Sequence, residues 1–283
     1  MQVNNRIIAA VWNNLDGFIR FFYCRIGVIN KLFFWSIYSS DPQSLDTVFN
    51  DMLHVFKKNN IPIENSTIVE IGPGNSNILA YNFLMLGARK VILIDKYPRV
   101  INSGKQREYV KNEINYIKDK YKKSPSFITD ELVDDNVLEY IPLELTDVAI
   151  ENVDIIYSNN VLEHIKNVDL NIKSMVHILK PGGYLYHNID LRDHYNFNEP
   201  FLFYKYEDPV WQNYLTREGV SYTNRLRCDD FIRLFRENGF EIIHYQTKKQ
   251  EAGMKNLSSK YKNKNIESLQ TTHLSILLRK INT

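Results

Sequence analysis

A short β-branched run that ends in two glycines constrains the fold of this chain more than any other feature. Thr67 to Ile71 form the run, Gly72-Pro73-Gly74 follow it, and a helix-like stretch extends from Ser76 to Leu86. Glycine allows the backbone to come close to a ligand, and the free N–H groups at a helix start attract polar or anionic atoms. The segment predicts a strand, a ligand-facing turn and a helix, with a purely structural tight turn as the alternative.

Strands and helices alternate along most of the chain. Further strands are predicted at Val91 to Ile94, Asn136 to Leu143, Val153 to Tyr157, Tyr184 to Ile189, Phe240 to Tyr245 and His273 to Ile281. Helices are predicted between them, at Arg99 to Lys123 and at Val161 to Leu179. This alternation predicts a parallel sheet that is covered on both faces by helices.

The 283 residues are enough for one large domain with extensions. We predict a helical N-terminal extension over residues 1–63, in which apolar residues recur at helical spacing from Leu45 onward and the helix ends before Pro62. An α/β domain follows over residues 64–283. Residues 192–226 are polar and aromatic and too long for an ordinary connection, which predicts an inserted lid.

Composition and charge exclude several classes of protein. The formal net charge of +2 does not suggest a dedicated nucleic-acid binder. Cys24 and Cys228 lie far apart without Cys/His ligand spacing, so neither a disulfide scaffold nor a metal site is predicted. The N-terminus lacks the apolar segment and cleavage site of a signal peptide, and a cytoplasmic protein is expected.

The segment from Phe18 to Trp35 is the most membrane-like part of the chain. Arg20, Arg25 and Lys31 interrupt it, so it is not a plain bilayer span. It predicts an amphipathic helix that contacts a membrane peripherally, or a helix that packs on the main domain or on a second copy in a homo-oligomer.

Four motifs in order resemble the class I S-adenosylmethionine-dependent methyltransferases. They are Glu70-x-Gly72-x-Gly74, Asp95 at the end of the next strand, the segment Val153 to Ile165 (VDIIYSNNVLEHI), and the segment Ile178 to Leu185 (ILKPGGYL). The resemblance implies a Rossmann-like α/β fold with a seven-stranded, mostly parallel sheet and an antiparallel last strand. It also implies S-adenosyl-L-methionine as the cofactor.

The resemblance further implies which residues bind the cofactor. Glu70 would orient the glycine turn or the methionyl amine, Asp95 would hold the ribose, and Ser158 and Asn159 would line the methionine end. The turn itself would contribute Gly72, Gly74, Asn75 and Ser76, and Lys96 follows the ribose-binding position. An acidic residue that contacts adenine after the third strand is not evident in the sequence.

Candidate catalytic residues follow the fourth and fifth predicted strands. If the acceptor is a hydroxyl, a base must take its proton, and imidazole or carboxylate can do so near neutral pH. His194, Asp190 and His164 are the candidates. A histidine fixed by structural hydrogen bonds and an ordinary solvated loop are the alternatives.

Residues for the acceptor are predicted in the same region and in the lid. Arg192, Asp193, Tyr222 and Arg225 are candidates, since arginines suit phosphates and aromatic faces suit sugar rings. A small satellite core that packs the lid is the alternative explanation of its aromatic residues. The segments His187 to Tyr195 (HNIDLRDHY) and Tyr222 to Arg227 (YTNRLR) resemble bacterial methyltransferases associated with capsule or O-antigen synthesis. This resemblance implies a sugar nucleotide, glycan or phosphate-bearing acceptor in surface polysaccharide biosynthesis.

Two other functions are alternatives to the methyltransferase. A nicotinamide-dependent oxidoreductase would need a third glycine near Asn77 and a catalytic Tyr/Lys pair, and the sequence offers neither. A non-catalytic partner protein with the same fold is the second rival, and the intact glycine turn with Asp95 argues against it.

Overall fold

A computed structural model describes residues 41–99, 104–129, 132–194, 200–212, 222–251 and 256–281. The segment from Phe18 to Trp35 lies outside these residues, as do residues 195–199 and 213–221 of the predicted lid. Among the helices that are described, none combines the length and the apolar character needed to span a bilayer.

The strands alternate with helices as the sequence predicts. The strands are β1 (Thr67–Ile71), β2 (Lys90–Ile94), β3 (Ile128–Thr129), β4 (Leu132–Val133), β5 (Leu138–Ile141), β6 (Val153–Asn159), β7 (Leu179–Asp190), β8 (Phe240–Lys249) and β9 (Thr271–Lys280). The helices are α1 (Pro42–Lys58), α2 (Ile78–Met85), α3 (Gly104–Tyr121), α4 (Val168–Ile178), α5 (Asp208–Val210), α6 (Cys228–Glu237) and α7 (Ile266–Gln270).

Seven strands form one sheet in the order β5-β2-β1-β6-β7-β9-β8. Strand β9 pairs antiparallel with both β7 and β8, whereas β5, β2, β1, β6 and β7 pair in parallel. This confirms the predicted Rossmann-like sheet with an antiparallel last strand. Chain order reverses between β1 and β6, and in open α/β sheets ligands bind outside the carboxyl ends of the strands at such a point.

Helices cover both faces of the sheet. Helices α1, α2 and α3 pack on one face, where Phe49, Phe83 and Ile117 are buried. Helices α4 and α6 pack on the other face through Ile172 and Phe235, among others. Helix α1 therefore contributes directly to the core of the sheet, although it precedes residue 64.

The prediction of one helix from Val161 to Leu179 is wrong. A 3-10 turn covers Leu162–His164, and α4 begins only at Val168. The side chain of Asn167 accepts the N–H of Leu170 and so caps α4 at that point. The irregular segment that results carries Glu163 and His164 at the carboxyl edge of the sheet. The short β3–β4 hairpin was also not predicted.

Candidate active site

The two glycines of the turn after β1 have different surroundings. Gly72 has φ +65°, and a Cβ at this position would lie 2.6 Å from Cγ2 of Val161, in the segment after β6. Gly74 has φ +59°, and a Cβ there would meet no atom within 4 Å. Gly72 is thus required by packing between two loops, while Gly74 leaves room beside the backbone for a ligand.

Two side chains from outside the turn hold it in place. The hydroxyl of Ser76 donates to Glu113 on α3, and the N–H of Asn77 donates to the same carboxylate at 3.1 Å. Arg99 donates to the carbonyl oxygens of Gly74 at 2.7 Å and Ser76 at 3.1 Å. Burial raises the pKa of Glu113 to about 7. Neither Glu113 nor Arg99 was predicted, and the Ser76 side chain serves this internal network.

The acidic residue after β2 lies beside the glycine turn. Asp95 accepts the N–H of Tyr97 at 3.0 Å. Burial raises the pKa of Asp95, and the hydrogen bond from Tyr97 together with the positive charge of Arg99 opposes the rise. Lys96 is exposed, with its ammonium 5.1 Å from the Tyr97 ring centroid. Asn75 is half-buried in the turn.

Glu70 lies within β1, opposite Tyr157 of β6. The Tyr157 hydroxyl donates to Glu70 Oε2 at 2.6 Å. Burial raises the pKa of Glu70 to about 7, and the bond from Tyr157 opposes that rise. A carboxyl group of this kind can hold the adjoining turn and respond to a positive charge placed nearby.

The side chain of Ser158 contacts the neighbouring strand β7. Its hydroxyl lies 2.7 Å from Nδ1 of His187, and both residues are buried under α6, where His187 stacks on Phe235. Burial lowers the pKa of His187 to about 3, so the imidazole is neutral. The expected place of Ser158 at the methionine end stays a prediction. Asn159 is half-buried and bonds to Asn188 of β7 at 3.2 Å.

A second group of polar residues follows β7. Asp190 accepts hydrogen bonds from the Arg192 guanidinium at 2.6 Å, 2.9 Å and 3.2 Å. Its Oδ2 also lies 3.7 Å from Nε2 of His194 and 3.8 Å from Nε2 of His273 on β9. Burial opposes ionisation of Asp190, but the bonds from His194 and Arg192 prevail and hold its pKa well below the usual range.

The segment after β6 brings Glu163 and His164 to the same place. Glu163 is buried and its Oε1 accepts the N–H of Asp190 at 3.2 Å. The rings of His164 and His194 lie 5.0 Å apart. Burial raises the pKa of Glu163 well above its usual range. We call Glu163, His164, Asp190 and His194 the histidine cluster. Three of its members were predicted, and Glu163 was present in the motif without an assigned role.

The described part of the lid is held together by its own core. Aromatic rings of Phe203, Tyr204 and Trp211 pack with Tyr261 and are nearly inaccessible to solvent. Residues 222–227 lie along the segment that follows β6. Asn224 connects the two, since its side-chain amide donates to the carbonyl oxygens of Leu162 and Ile165. The alternative of a satellite core therefore describes these aromatic residues better than a sugar-binding surface.

The predicted acceptor residues of the lid have different environments. Arg225 is buried, lies 4.8 Å from the Trp211 ring and donates to Asp208 and to the carbonyl of Tyr206. Its side chain thus packs the lid, and its contact with an acceptor stays a prediction. Tyr222 is half-buried, and its backbone oxygen contacts His164 Nδ1 at 2.6 Å. Asp193 is buried and its N–H donates to Pro200.

These contacts define two neighbouring sites at one edge of the sheet. The first is formed by the glycine turn (Gly72-Pro73-Gly74), Asp95 and Glu70, and it suits a ligand with hydroxyl and ammonium groups. The second is the histidine cluster, which can hold and move a proton. Val161 packs on Gly72 only two residues before Glu163, which places the second site beside the first.

A family model described as a methyltransferase domain matches residues 46–245, more than two thirds of the chain. Comparison with curated protein sequences finds no match.

Solved structures of methyltransferases are similar to the chain at a low level. A SAM-dependent methyltransferase from Methanosarcina mazei is 17% identical with a TM-score of 0.47, covering 80% of this chain and 98% of its own. The N-methyltransferase NodS from Bradyrhizobium japonicum, bound to S-adenosyl-L-homocysteine, is 12% identical with a TM-score of 0.45, covering 87% of this chain and 91% of its own. Magnesium protoporphyrin IX methyltransferase from Synechocystis is 12% identical with a TM-score of 0.47, covering 84% of this chain and 82% of its own. Similarity at this level assigns no acceptor to this chain.

Proposed function

The chain belongs to the methyltransferase-domain family, and from this premise we propose that it is an S-adenosylmethionine-dependent enzyme that methylates an oxygen atom of a small polar acceptor. The observation that carries the proposal is the histidine cluster beside the glycine turn. A hydroxyl group must lose a proton when it is methylated, and imidazole paired with carboxylate is suited to receive it. An enzyme for a neutral amine or a carbanion would have less need of such a cluster.

The residues at the first site fit the proposed cofactor. The open space at Gly74 accommodates a ligand close to the backbone. Asp95 ends β2, where a carboxylate suits ribose hydroxyls, and Glu70 offers a buried carboxyl group near the turn. When bound, S-adenosylmethionine supplies a methyl group that is already activated on a sulfonium. The protein's own task is to align the acceptor and exclude water.

Within the histidine cluster we assign to His194 the role of the base that takes the proton of the acceptor hydroxyl. Asp190 Oδ2 lies 3.7 Å from its Nε2, so the carboxylate can orient the ring and stabilise the imidazolium form. His164 lies across from it and is the second candidate. The carboxylate that orients the His194 ring is that of Asp190 in this proposal, not that of Asp193, which is buried in the loop after β7. Arg192, half-buried and bonded to Asp190, stands at the edge of the cluster and is our candidate for contact with an anionic acceptor.

The finer acceptor class that we propose is a carbohydrate-type or phosphate-bearing small molecule of surface polysaccharide biosynthesis. Its support is the resemblance of the segment after β7 to methyltransferases of that context, and the mixed charge of Asp190 and Arg192. The packed aromatic residues of the lid give it no support. A screen should therefore contain free sugars, sugar nucleotides and sugar phosphates, each beside its amino analogue.

The test is methyl transfer from isotope-labelled S-adenosylmethionine, with products identified by mass spectrometry. His194→Ala should lower turnover by roughly a hundredfold to ten-thousandfold, as expected for a lost general base, while cofactor affinity stays near that of the unmodified protein. Asp190→Asn should have a smaller effect. His177→Ala, an exposed histidine on α4, is the matched control. Methylation only of amino analogues, or full turnover in His194→Ala, would refute the proposal.

A further inference from the structure

We propose that Glu163, His164 and His194 form a binding site for one divalent transition-metal ion. Each residue offers one ligand atom, and these atoms all lie within 4.8 Å of one another. This site is not evident from the sequence, because its ligands come from the loops after β6 and β7, which are separated by a whole helix and strand. Only the fold brings them together.

The spacing of the three groups is close to that of a metal site. Ligands bound to a zinc-like ion at about 2.0–2.2 Å lie roughly 3–3.5 Å from one another. The observed separations are at most 4.8 Å, and rotation of the histidine rings can bring the ligand atoms closer together. Both histidines are half-buried and Glu163 is fully buried, so an ion would be enclosed on the side of the sheet and accessible from the cleft.

His164 has the orientation of a histidine that binds a metal. Its Nδ1 lies 2.6 Å from the backbone oxygen of Tyr222, and a carbonyl can only accept, so Nδ1 carries the proton. The lone pair is then on Nε2, which lies 4.0 Å from Oε1 of Glu163. Ligand histidines commonly donate their other N–H to a carbonyl or carboxylate in this way.

His194 has the corresponding arrangement with a carboxylate. Its Nε2 lies 3.7 Å from Oδ2 of Asp190. The tautomer that donates toward Asp190 leaves the lone pair on Nδ1, as in the carboxylate–histidine–metal arrangement of known metal sites. Asp190 is held in turn by the guanidinium of Arg192. His164 is therefore held by a hydrogen bond to an oxygen, and His194 lies at ion-pair distance from a carboxylate that can orient its ring.

The third ligand supplies an independent observation. Glu163 is buried, and its Oε2 has no hydrogen-bond partner among the residues that the structure describes. A buried carboxyl oxygen without a partner is costly, and a bound cation is one of the groups that compensate it. Oε1 is used by the N–H of Asp190, so the second oxygen remains to meet an ion between the histidines.

Two imidazole nitrogens and one carboxylate oxygen favour Zn²⁺, Mn²⁺ or Fe²⁺ over Mg²⁺ or Ca²⁺. The consequence for catalysis rests on the proposed O-methylation. A cation would lower the pKa of the acceptor hydroxyl, whose proton passes to water. The oxygen–carbon bond then forms as the carbon–sulfur bond breaks, which leaves S-adenosylhomocysteine. In the metal-bound protein His194 is a ligand of the ion. Its proposed role as the base applies only to the protein without metal.

Metal binding is tested without any acceptor. Tag-free protein is treated with a chelator, desalted, and titrated with ZnCl₂, MnCl₂ or MgCl₂ by calorimetry, with thermal unfolding as a check of the fold. We expect one Zn²⁺ or Mn²⁺ per chain and a preference over Mg²⁺. His164→Ala and Glu163→Gln should weaken binding by at least about tenfold to a hundredfold, and Asp190→Asn by a similar factor, the range known for residues that orient a ligand.

The control is His54→Ala, which removes an exposed histidine on α1 and should leave the affinity unchanged. Absence of binding at 100-fold excess of metal over protein, or equal affinity in a folded His164→Ala/His194→Ala double variant, would overturn the site. With a verified acceptor, methyl transfer should fall after chelation and return with Zn²⁺ or Mn²⁺. Full turnover in the chelated protein would overturn the ion's part in the reaction and leave the proposed O-methylation standing.

Discussion

Substitution of the two glycines of the turn after β1 by alanine should affect different properties of the protein. A side chain at either position must adopt positive φ, which costs about 1–2 kcal/mol for a residue other than glycine. Only at Gly72 does a Cβ also collide with Val161, at 2.6 Å from Cγ2. Only at Gly74 does it project into the space proposed for the cofactor. Gly72→Ala should therefore lose mainly stability, and Gly74→Ala mainly cofactor affinity.

The difference between the two variants can be estimated. Forcing an additional methyl group into a packed contact costs about 1–3 kcal/mol, so Gly72→Ala should be less stable than Gly74→Ala by roughly that amount. In a domain of this size, 1 kcal/mol corresponds to about 2–4 °C in Tm. Gly72→Ala should therefore unfold about 2–12 °C below Gly74→Ala. Val161→Ala in the Gly72→Ala background should restore part of the loss, because it removes the colliding carbon.

The assay combines thermal unfolding with calorimetric titration of S-adenosylhomocysteine. Gly74→Ala should bind about tenfold to a hundredfold more weakly than the unmodified protein, a loss of about 1.4–2.8 kcal/mol. The double variant Gly72→Ala/Val161→Ala should bind S-adenosylhomocysteine more tightly than Gly74→Ala does. Both variants are titrated at one temperature, below the thermal unfolding transition of either. If Gly74→Ala binds normally, the ligand does not approach the backbone there. Equal loss of stability in both single variants would refute the packing argument.

Three further perturbations address the surroundings of the same turn. Asp95→Ala should weaken S-adenosylmethionine binding about tenfold to a hundredfold, since hydrogen bonds to charged groups contribute about 1.5–3 kcal/mol; unchanged affinity in calorimetry would remove Asp95 from the site. Arg99→Ala should weaken S-adenosylmethionine binding because it loosens the turn. The control is Arg89→Ala, which breaks a bond to Thr67 at the opposite end of the strands and should lower only the Tm. Similar affinity for S-adenosylmethionine in both variants would contradict this. Burial raises the pKa of Glu113 from an ordinary value of 4.5, taken for the unfolded chain, to about 7 in the folded protein, so the folded state holds the proton more tightly. The stability that this proton contributes is fully present below pH 4.5 and is lost as the pH rises to about 7. Urea unfolding at several pH values should thus show a smaller fall in stability between pH 5 and 7 in Glu113→Gln, and an identical slope would argue against a buried carboxyl group of raised pKa.

The sheet could be predicted from the sequence because its signals are local. The β-branched runs of β1, β2 and β6 each end at a residue that breaks the strand pattern, and parallel strands bring those ends to one edge. His164, His194 and Asp190 follow β6 and β7 and do lie together. Their proximity follows from the topology, while their roles stay predictions. The missed start of α4 has a local cause as well, since the cap at Asn167 resembles many other asparagines in the chain.

The residues that hold the glycine turn could not be found in this way. Glu113 belongs to a helix rich in charged residues, and nothing in the pattern of that helix distinguishes the one carboxylate that is buried. Its contacts with Ser76 and Asn77 join residues 36 and 37 positions apart. Arg99 is similar, since its bonds span 22 to 25 positions. Such contacts depend on where α3 packs, which the periodicity of a segment does not determine.

The lid shows why the chemical nature of the acceptor has to be sought in the histidine cluster. Aromatic residues next to arginines have the same sequence pattern whether they bind a sugar or fill a core, and the two differ only in what covers the rings. Here the cover comes from Tyr261 and Leu269, some fifty residues further along the chain, and Arg225 is enclosed with them. A ring already packed on both sides has little surface left for a ligand. The described part of the lid also directs a backbone oxygen, that of Tyr222, at His164. Discrimination between acceptors should therefore depend on hydrogen bonding and charge near this histidine. Substitutions of Phe203 or Trp211 should change stability more than the choice of acceptor, and an altered acceptor preference in a stable Trp211→Phe variant would show that the rings take part after all.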